Sequence, residues 1–375
     1  MKTLKPAALS MLLLFSQFLT GTGYAAAETI IEMNGIKIST EASPIIINNI
    51  VYTPLKTTAE LLELTADYNE NEKLVTLKHE KLKVDIKMKT DGSETTVNGK
   101  KYKEAPMITV NNQMMVPVRF ISEALGCKAI WSESWAECTE SCEPRYRVNR
   151  LQLFSANHAI KAVSGAAITA EISFDEKTIP AKGDNRETNY NLDIKIPQLT
   201  GLKNVPLQET LNNEFKKRMN DRSAAVAKAY AENRAANDDY TWSASESLTF
   251  HLSENSAKLL SIVFEGESYY GGAHGLPYRF AYTIDTSGGK LMTLADILKN
   301  KNYQSSLQQK INEIRSKNSG MYSELFREDM LGGKMLPLPD EKQFYIEDGK
   351  LVIFYAPYEI APYSRGFVTF TIPLD

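Results

Sequence analysis

Two segments in the second half of the chain carry the residue types that could recognise or transform a ligand. One is Tyr269-Tyr270-Gly271-Gly272-Ala273-His274-Gly275; the other is Ala356-Pro357-Tyr358-Glu359-Ile360-Ala361-Pro362-Tyr363-Ser364-Arg365-Gly366. Adjacent glycines at 271 and 272 let a backbone approach a ligand, or turn a tight loop at positive φ. His274 beside them can titrate or donate a hydrogen bond to a ligand, and equally can be a satisfied structural histidine. The proline-bounded stretch 357–363 presents aromatics on a stiff loop, suited to protein or glycan contact, or else packs its tyrosines on a sheet. The candidate ligand-binding residues are Tyr269, Tyr270, Gly271, Gly272, His274, Tyr358, Glu359, Tyr363 and Arg365.

The inventory for catalysis is thin. The four histidines are His79, His158, His251 and His274, and no two sit at helix-face spacing. The sequence has no G-x-S-x-G elbow, H-E-x-x-H helix, P-loop or G-x-G-x-x-G turn. Paired carboxylates for glycoside hydrolysis are a matter of tertiary distance, and Glu267, Asp285, Asp296 and Glu359 form the pool. Asp296, after Thr293-Leu-Ala, reads better as a helix-start residue. No catalytic residue, metal ligand set or cofactor is assigned, and the expectation is a non-enzymatic protein. Cys138 and Cys142 are candidates for a disulfide closing a short polar loop, whereas Cys127 reads as a small core residue. A zinc site would need four ligands, and no second Cys or His pair accompanies these two.

The elements that must position these residues fit an ordinary globular composition. Of 375 residues, 43% are hydrophobic and 24% charged, enough for two domains with their own cores. A net charge of −3 speaks against nucleic acid, which demands a basic footprint. Residues 1–27 read as a secretory signal peptide, with Lys2 and Lys5 before the apolar Ala7–Leu19 stretch and Ala25-Ala26-Ala27 as the cleavage site. Cleavage removes two lysines and no acid, leaving −5. The expected product is secreted, extracellular or cell-wall associated, with no transmembrane segment after cleavage and no sorting tail beyond Phe370–Asp375. The oligomeric state is left open.

The first half repeats itself at an offset of 63 residues. Ala42-Ser-Pro-Ile-Ile-Ile-Asn48-Asn49-Ile-Val-Tyr-Thr-Pro54-Leu55 aligns with Ala105-Pro-Met-Ile-Thr-Val-Asn111-Asn112-Gln-Met-Met-Val-Pro117-Val118. Each copy predicts a strand, an Asn-Asn turn, a returning strand and a helix beginning at the proline. Leu55 and Leu62 lie on the first helix, and Val118, Ile121 and Leu125 on the second; Tyr68 and Trp131 close the copies. Met33-Asn34-Gly35 and Val97-Asn98-Gly99 read as hairpin turns, and Lys73–Lys78 and Leu82–Lys87 alternate as strands. Asn111-Asn112, Val116-Pro117-Val118-Arg119-Phe120-Ile121, Glu123-Ala124-Leu125-Gly126 and Trp131 resemble the copper amine oxidase N-terminal-like domain of exported Gram-positive proteins. The resemblance implies an accessory module and no oxidase activity, since a single histidine, His79, lies in it. Arg119 could touch a ligand or be an ordinary solvated arginine.

In the second half, Tyr190–Pro197 alternates as a strand, and Leu207, Leu211, Phe215 and Met219 predict a long helix reaching about Asn233. Strands follow around Leu248–Leu252, Leu259–Glu265 and Tyr278–Asp285. Two helices are expected between Leu294 and Met330, then a hairpin about Asp348-Gly349 and a last strand over Gly366–Ile372. The motifs at 269–275, 285–290, 294–298 and 356–366 together resemble the extracytoplasmic C-terminal domain of the anti-sigma-V factor family of lysozyme receptors. The resemblance spans about 185–375 and implies an exported binding domain whose partner is a lysozyme-like protein, a cell-wall glycan or peptidoglycan. The expected fold is α+β with two domains: a duplicated strand-turn-strand-helix module over 28–135, a connection over 136–180, and an antiparallel sheet packed with helices over 181–375.

Overall fold

Two consecutive asparagines set the geometry of the first half. In the computed structural model, which describes residues 28–103, 105–135, 147–155, 171–179, 190–236, 244–317 and 336–374, Asn48 and Asn49 have φ of 51° and 62°, and Asn111 and Asn112 of 49° and 61°. Paired left-handed residues give the turn whose twist matches that of a hairpin, and asparagine tolerates that region. The hairpins Ile45–Ile47/Ile50–Pro54 and Ile108–Val110/Gln113–Pro117 follow. Pro54 and Pro117 sit one position ahead of the first helical residue of α1 (Leu55–Leu61) and α2 (Val118–Ala124), as their N-caps. Adding 63 to every bound of the first copy gives the second.

The copies meet through their returning strands, antiparallel, with Thr53 opposite Val116, Tyr52 opposite Pro117 and Pro54 opposite Met115. Thr53 and Val116 are equivalent under the repeat, so a local two-fold axis passes between them. A five-stranded meander from Thr65–Asn69 to Lys100–Tyr102 presents fully buried Val75, Leu77, Ile86 and Met88 to the core shared with both helices. Cys127 lies in that core as a free thiol, and burial pushes it up to about 11. It is a packing residue, as expected.

The segment expected to be a connection holds two nine-residue strands. Arg147–Ser155 lies between Cys127–Trp135 and Glu28–Met33, antiparallel to the former and parallel to the latter. Glu171–Ile179 is the edge of the six-stranded sheet of the second half. Cys138, Cys142 and residues 1–27, expected to be a signal peptide, lie outside the described residues.

In the second half, α3 (Val205–Ala236) crosses from Tyr190–Thr200 to the parallel strand Ala244–Asn255; the remaining pairs of that sheet are antiparallel. Asn204 starts the helix by accepting from the Leu207 amide at 3.1 Å. The Leu211, Phe215, Met219, Val226 and Tyr230 face of α3 is buried on the sheet, the stripe expected of a surface helix. The strands Phe344–Glu347, Lys350–Tyr355 and Val368–Pro373 form a third layer. It packs against α4 (Leu294–Ile297) and α5 (Tyr303–Lys317) through Leu294, Leu307 and Ile311.

The halves are joined by shared packing and charge. Ile130 and Phe154 belong to the core of the second half, and Gln152 Nε2 donates to the Phe250 carbonyl at 2.8 Å. Arg150 pairs with Glu32, both nearly fully buried. Arg279 binds Glu265 through Nη2 at 2.5 Å and Nε at 2.9 Å, with His251 Nδ1 3.9 Å from the same carboxylate.

Burial, together with Arg150 and Arg279 and against the pull of Glu265, drives His251 down to about 3 from an ordinary 6.5. The unfolded chain therefore binds a proton there over a range in which the folded chain does not. The corresponding stability is present above 6.5 and is lost as pH falls toward 3. Urea midpoints should drop between pH 7.5 and 5, and His251→Gln should shrink that drop. An unchanged drop in the variant would show that other groups set the acid sensitivity.

Candidate functional site

The first aromatic segment is the loop between the strands Leu259–Tyr269 and Leu276–Asp285. Gly271 and Gly272 take φ of 105° and 110°, which side-chain-bearing residues avoid, so the turning role of the pair is met. Tyr269 clasps the loop by donating from its hydroxyl to the Gly272 carbonyl at 3.1 Å. Gly275 is needed for approach: a Cβ there would come within 2.3 Å of Glu267 Oε1.

The second segment links Lys350–Tyr355 to Val368–Pro373 and is folded on itself. The Glu359 carboxylate accepts from the Ala356 amide at 2.8 Å and from Gln343 Nε2 at 2.7 Å. Tyr358 N donates to the Ala361 carbonyl, and a single 3-10 turn covers Tyr363–Arg365. With Glu359 fixed inside the turn, Tyr358 is held at φ 72° and is 54% exposed. A bulky residue in the left-handed region is a strained position that surrounding bonds must maintain.

These two loops meet although 84 residues separate Tyr358 from His274. The Tyr363 ring stacks on His274 at 3.9 Å and 27°, and Tyr358 lies 5.5 Å from Tyr363. Tyr363 donates its hydroxyl to the Gly275 carbonyl at 2.8 Å. His274 Nδ1 lies 2.9 Å from that carbonyl; a carbonyl only accepts, so Nδ1 carries the proton. In the neutral ring Nε2 is then an acceptor, and the Tyr358 hydroxyl stands 3.4 Å away to donate. Burial and the charge of Glu267 raise the Tyr363 phenol above its usual range. The adjoining Leu276 is 56% exposed. The result is an exposed aromatic platform with an apolar neighbour and a carboxylate at its margin.

Tyr270 does not join it. Its hydroxyl runs to Glu246 Oε2 at 2.6 Å, while Tyr278 and Arg222 reach Glu246 Oε1 at 2.6 and 2.7 Å. Glu246 is buried, and burial with this bond pushes Tyr270 up to about 12. Glu359 has its carboxylate in the loop. Arg365 is half-buried in the 3-10 turn beside Tyr363. Sequence reasoning passed over Leu276 and Gly275; a leucine beginning a strand gives no sign that it will stay exposed.

The other carboxylates hold turns. Asp285 accepts from Ser287 N, Ser287 Oγ and Gly288 N, which keep it below its usual range. Lys290 and the Thr293 amide and hydroxyl hold Asp296 down to about 2, and with Thr293 it forms a capping box on α4. Carboxylates held this low are poor proton donors at neutral pH. Among the described residues no three His, Cys, Asp or Glu gather as a metal-binding set, and no helix is long and apolar enough to cross a membrane.

The fold thus sets a duplicated strand-turn-strand-helix module beside an α+β half bearing the aromatic platform. Residues 32–138 match the copper amine oxidase N-terminal domain, in agreement with the resemblance seen in the repeat. Residues 184–277 match the deacetylase PdaC family and residues 295–375 the DUF3298 family of unknown function. The chain is similar to the anti-sigma-V factor RsiV of Bacillus subtilis (strain 168), with 29% identity over 192 residues. That match covers 49% of this chain and 62% of RsiV, so the chain spans less than two thirds of this relative. A DUF3298 family member from Bacteroides fragilis has 19% identity and a TM-score of 0.41, covering 56% of this chain and 91% of its own. For a DUF3298 protein from Pseudomonas aeruginosa PAO1 the values are 18%, 0.36, 55% and 91%.

Proposed function

We propose that the chain is an exported, non-enzymatic cell-envelope protein whose second half binds a lysozyme-like protein through the His274–Tyr358–Tyr363 platform. The observation that supports this reading is the exposed stack itself. Tyrosine presents a large, stiff contact area with a hydrogen-bonding tip, which is why it is enriched where protein interfaces concentrate their binding energy. Similarity of about half of the chain to an anti-sigma-V factor supports a recognition role. The strained, doubly fixed Tyr358 is pre-positioned, so little ordering is needed on contact.

Titrating the purified chain with hen egg-white lysozyme should give saturable binding. Tyr363→Ala and His274→Ala should each weaken it by about tenfold or more, the effect of losing about 1.4 kcal/mol at a central contact. Tyr270→Phe, which removes the hydroxyl's bonds to Glu246 and Ser268 away from the platform, should leave affinity within about twofold. Sedimentation with purified peptidoglycan tests the other wall ligand: binding there and none to lysozyme would move the platform to a glycan partner, and binding to neither would end the reading. The PdaC match motivates one control. Acetate release from N-acetylated wall glycans that vanishes in His274→Ala would replace the binding role with a catalytic one.

A further inference from the structure

The first half contains a groove of about 530 Å³ that the platform does not use. It runs between the Asn48-Asn49 hairpin, the start of α2 and the strands Cys127–Trp135 and Arg147–Ser155. Ile46, Phe120 and Trp131 supply its apolar walls, and Arg119, Glu123 and Asn149 its polar ones. This volume falls within the range of small-ligand sites, about 300–1,000 Å³.

Three features define what the groove would hold. First, Asn149 is only 8% exposed, and its side-chain amide has no hydrogen-bond partner among the described residues. Asn149 lines the groove, where its two donors and one acceptor can bond a ligand's hydroxyl or acetamido group. Second, Arg119 Nε donates to Glu123 Oε1 at 2.8 Å, and Trp131 Nε1 to Glu133 Oε1 at 3.3 Å. Both aromatic and guanidinium planes are thereby held, and the cation is neutralised by its own carboxylate. With Glu133 also at the wall, no excess positive charge remains for a phosphate or an anionic polymer. Third, the two copies of the repeat have diverged at this place. Where the second copy has Arg119, Phe120 and Trp131, the first has Lys56, Thr57 and Tyr68, and Lys56 turns to Glu41 instead. Phe120 and Trp131 pack in part against the first-half core and line the groove as well.

We propose that this groove binds a neutral glycan bearing N-acetyl groups. The C–H face of a pyranose ring packs on an aromatic ring, acetamido methyls fit apolar walls, and the planar amide, carboxylate and guanidinium meet pairs of hydroxyls. The site is separate from the His274 platform and does not depend on it.

Calorimetry of the full chain with tetra-N-acetylchitotetraose tests the assignment. Binding should be saturable, and Asn149→Ala and Trp131→Ala should each weaken it by about tenfold or more. Trp131→Phe, which keeps the packing surface, should lose less than either. His274→Ala and Tyr363→Ala should leave it unchanged. Unaltered binding by Asn149→Ala and Trp131→Ala, or no binding by the parent chain, would overturn the proposal. Glycan binding lost on Tyr363→Ala but kept on Trp131→Ala would transfer the glycan to the platform. Equal binding of the fully N-deacetylated tetramer would remove the acetyl specificity.

Discussion

Arg150→Met is expected to destabilise the folded chain by about 3–5 kcal/mol, the usual loss when one member of a buried ion pair is removed. Arg150 lies on the strand Arg147–Ser155, opposite Ile30 on one side and Ser132 on the other. It donates to Glu32, whose side chain is 5% exposed and whose Oε2 has no hydrogen-bond partner among the described residues. Burial pushes the Glu32 carboxyl above its usual range in spite of Arg150. The pair is therefore a desolvated one whose net contribution is small, although breaking it is expensive. Arg150 also feels Glu265 and Glu347 of the second half. Without the cation, three carboxylates are left beside a closed interface.

Urea unfolding at pH 7 should show the loss. Glu32→Met/Arg150→Met should recover most of it, because two apolar side chains of similar size replace two buried charges. The deficit of Arg150→Met should also narrow as pH falls. A carboxyl whose folded-state value is raised favours the folded state once protonated, and the variant raises it further. A single variant within about 1 kcal/mol of the parent would mean that Glu32 reaches water in solution.

Local chemistry made much of the fold readable. Asn48-Asn49, Asn111-Asn112, Asn34-Gly35, Asn98-Gly99 and Asp348-Gly349 all adopt the positive φ pairs their residue types favour, and the strands about them follow. Leu211, Phe215 and Met219 announce the buried stripe of α3 because one face meets solvent. Arg147–Ser155 was missed because it has no solvent face to produce alternation. Leu151 and Leu153 enter the first-half core, Phe154 the second-half core, and Gln152 and Arg150 are buried in polar contacts between them. A strand covered on both faces does not alternate, and here Asn149, Arg150 and Gln152 also interrupt the apolar run that would otherwise mark it. The platform was half legible. Sequence picks out both aromatic loops, but their meeting depends on how one sheet lies on another. Of Tyr269 and Tyr270, neighbours that must face opposite ways, it gives no sign which turns inward to Glu246.

Two glycines with nearly the same backbone should behave differently. Gly35→Ala is expected to cost about 2–5 kcal/mol and Gly99→Ala about 1 kcal/mol. Gly35 has φ 79° and Gly99 φ 82°, each second in an Asn-Gly hairpin turn. Alanine therefore pays the left-handed penalty at both. Around Gly99 a Cβ meets nothing within 4 Å, whereas at Gly35 it would lie 2.4 Å from Leu252 Cβ and 2.6 Å from its Cδ1. Leu252 is 1% exposed, and a clash with a Cβ cannot be relieved by changing rotamer. The turn cannot withdraw easily either. Asn34 N donates to the Leu153 carbonyl, Asn34 Oδ1 accepts from Ser155 N, and Asn255 Nδ2 donates to the Asn34 carbonyl. The first two bonds fix the turn to its own half and the third fixes it to the other, so the added methyl pushes the halves apart. Leu252→Ala in the Gly35→Ala background should then be less harmful than the sum of the single changes, a coupling of about 1 kcal/mol or more. Equal losses at Gly35 and Gly99, or strict additivity with Leu252→Ala, would show that the contact between the halves is looser than 2.4 Å implies.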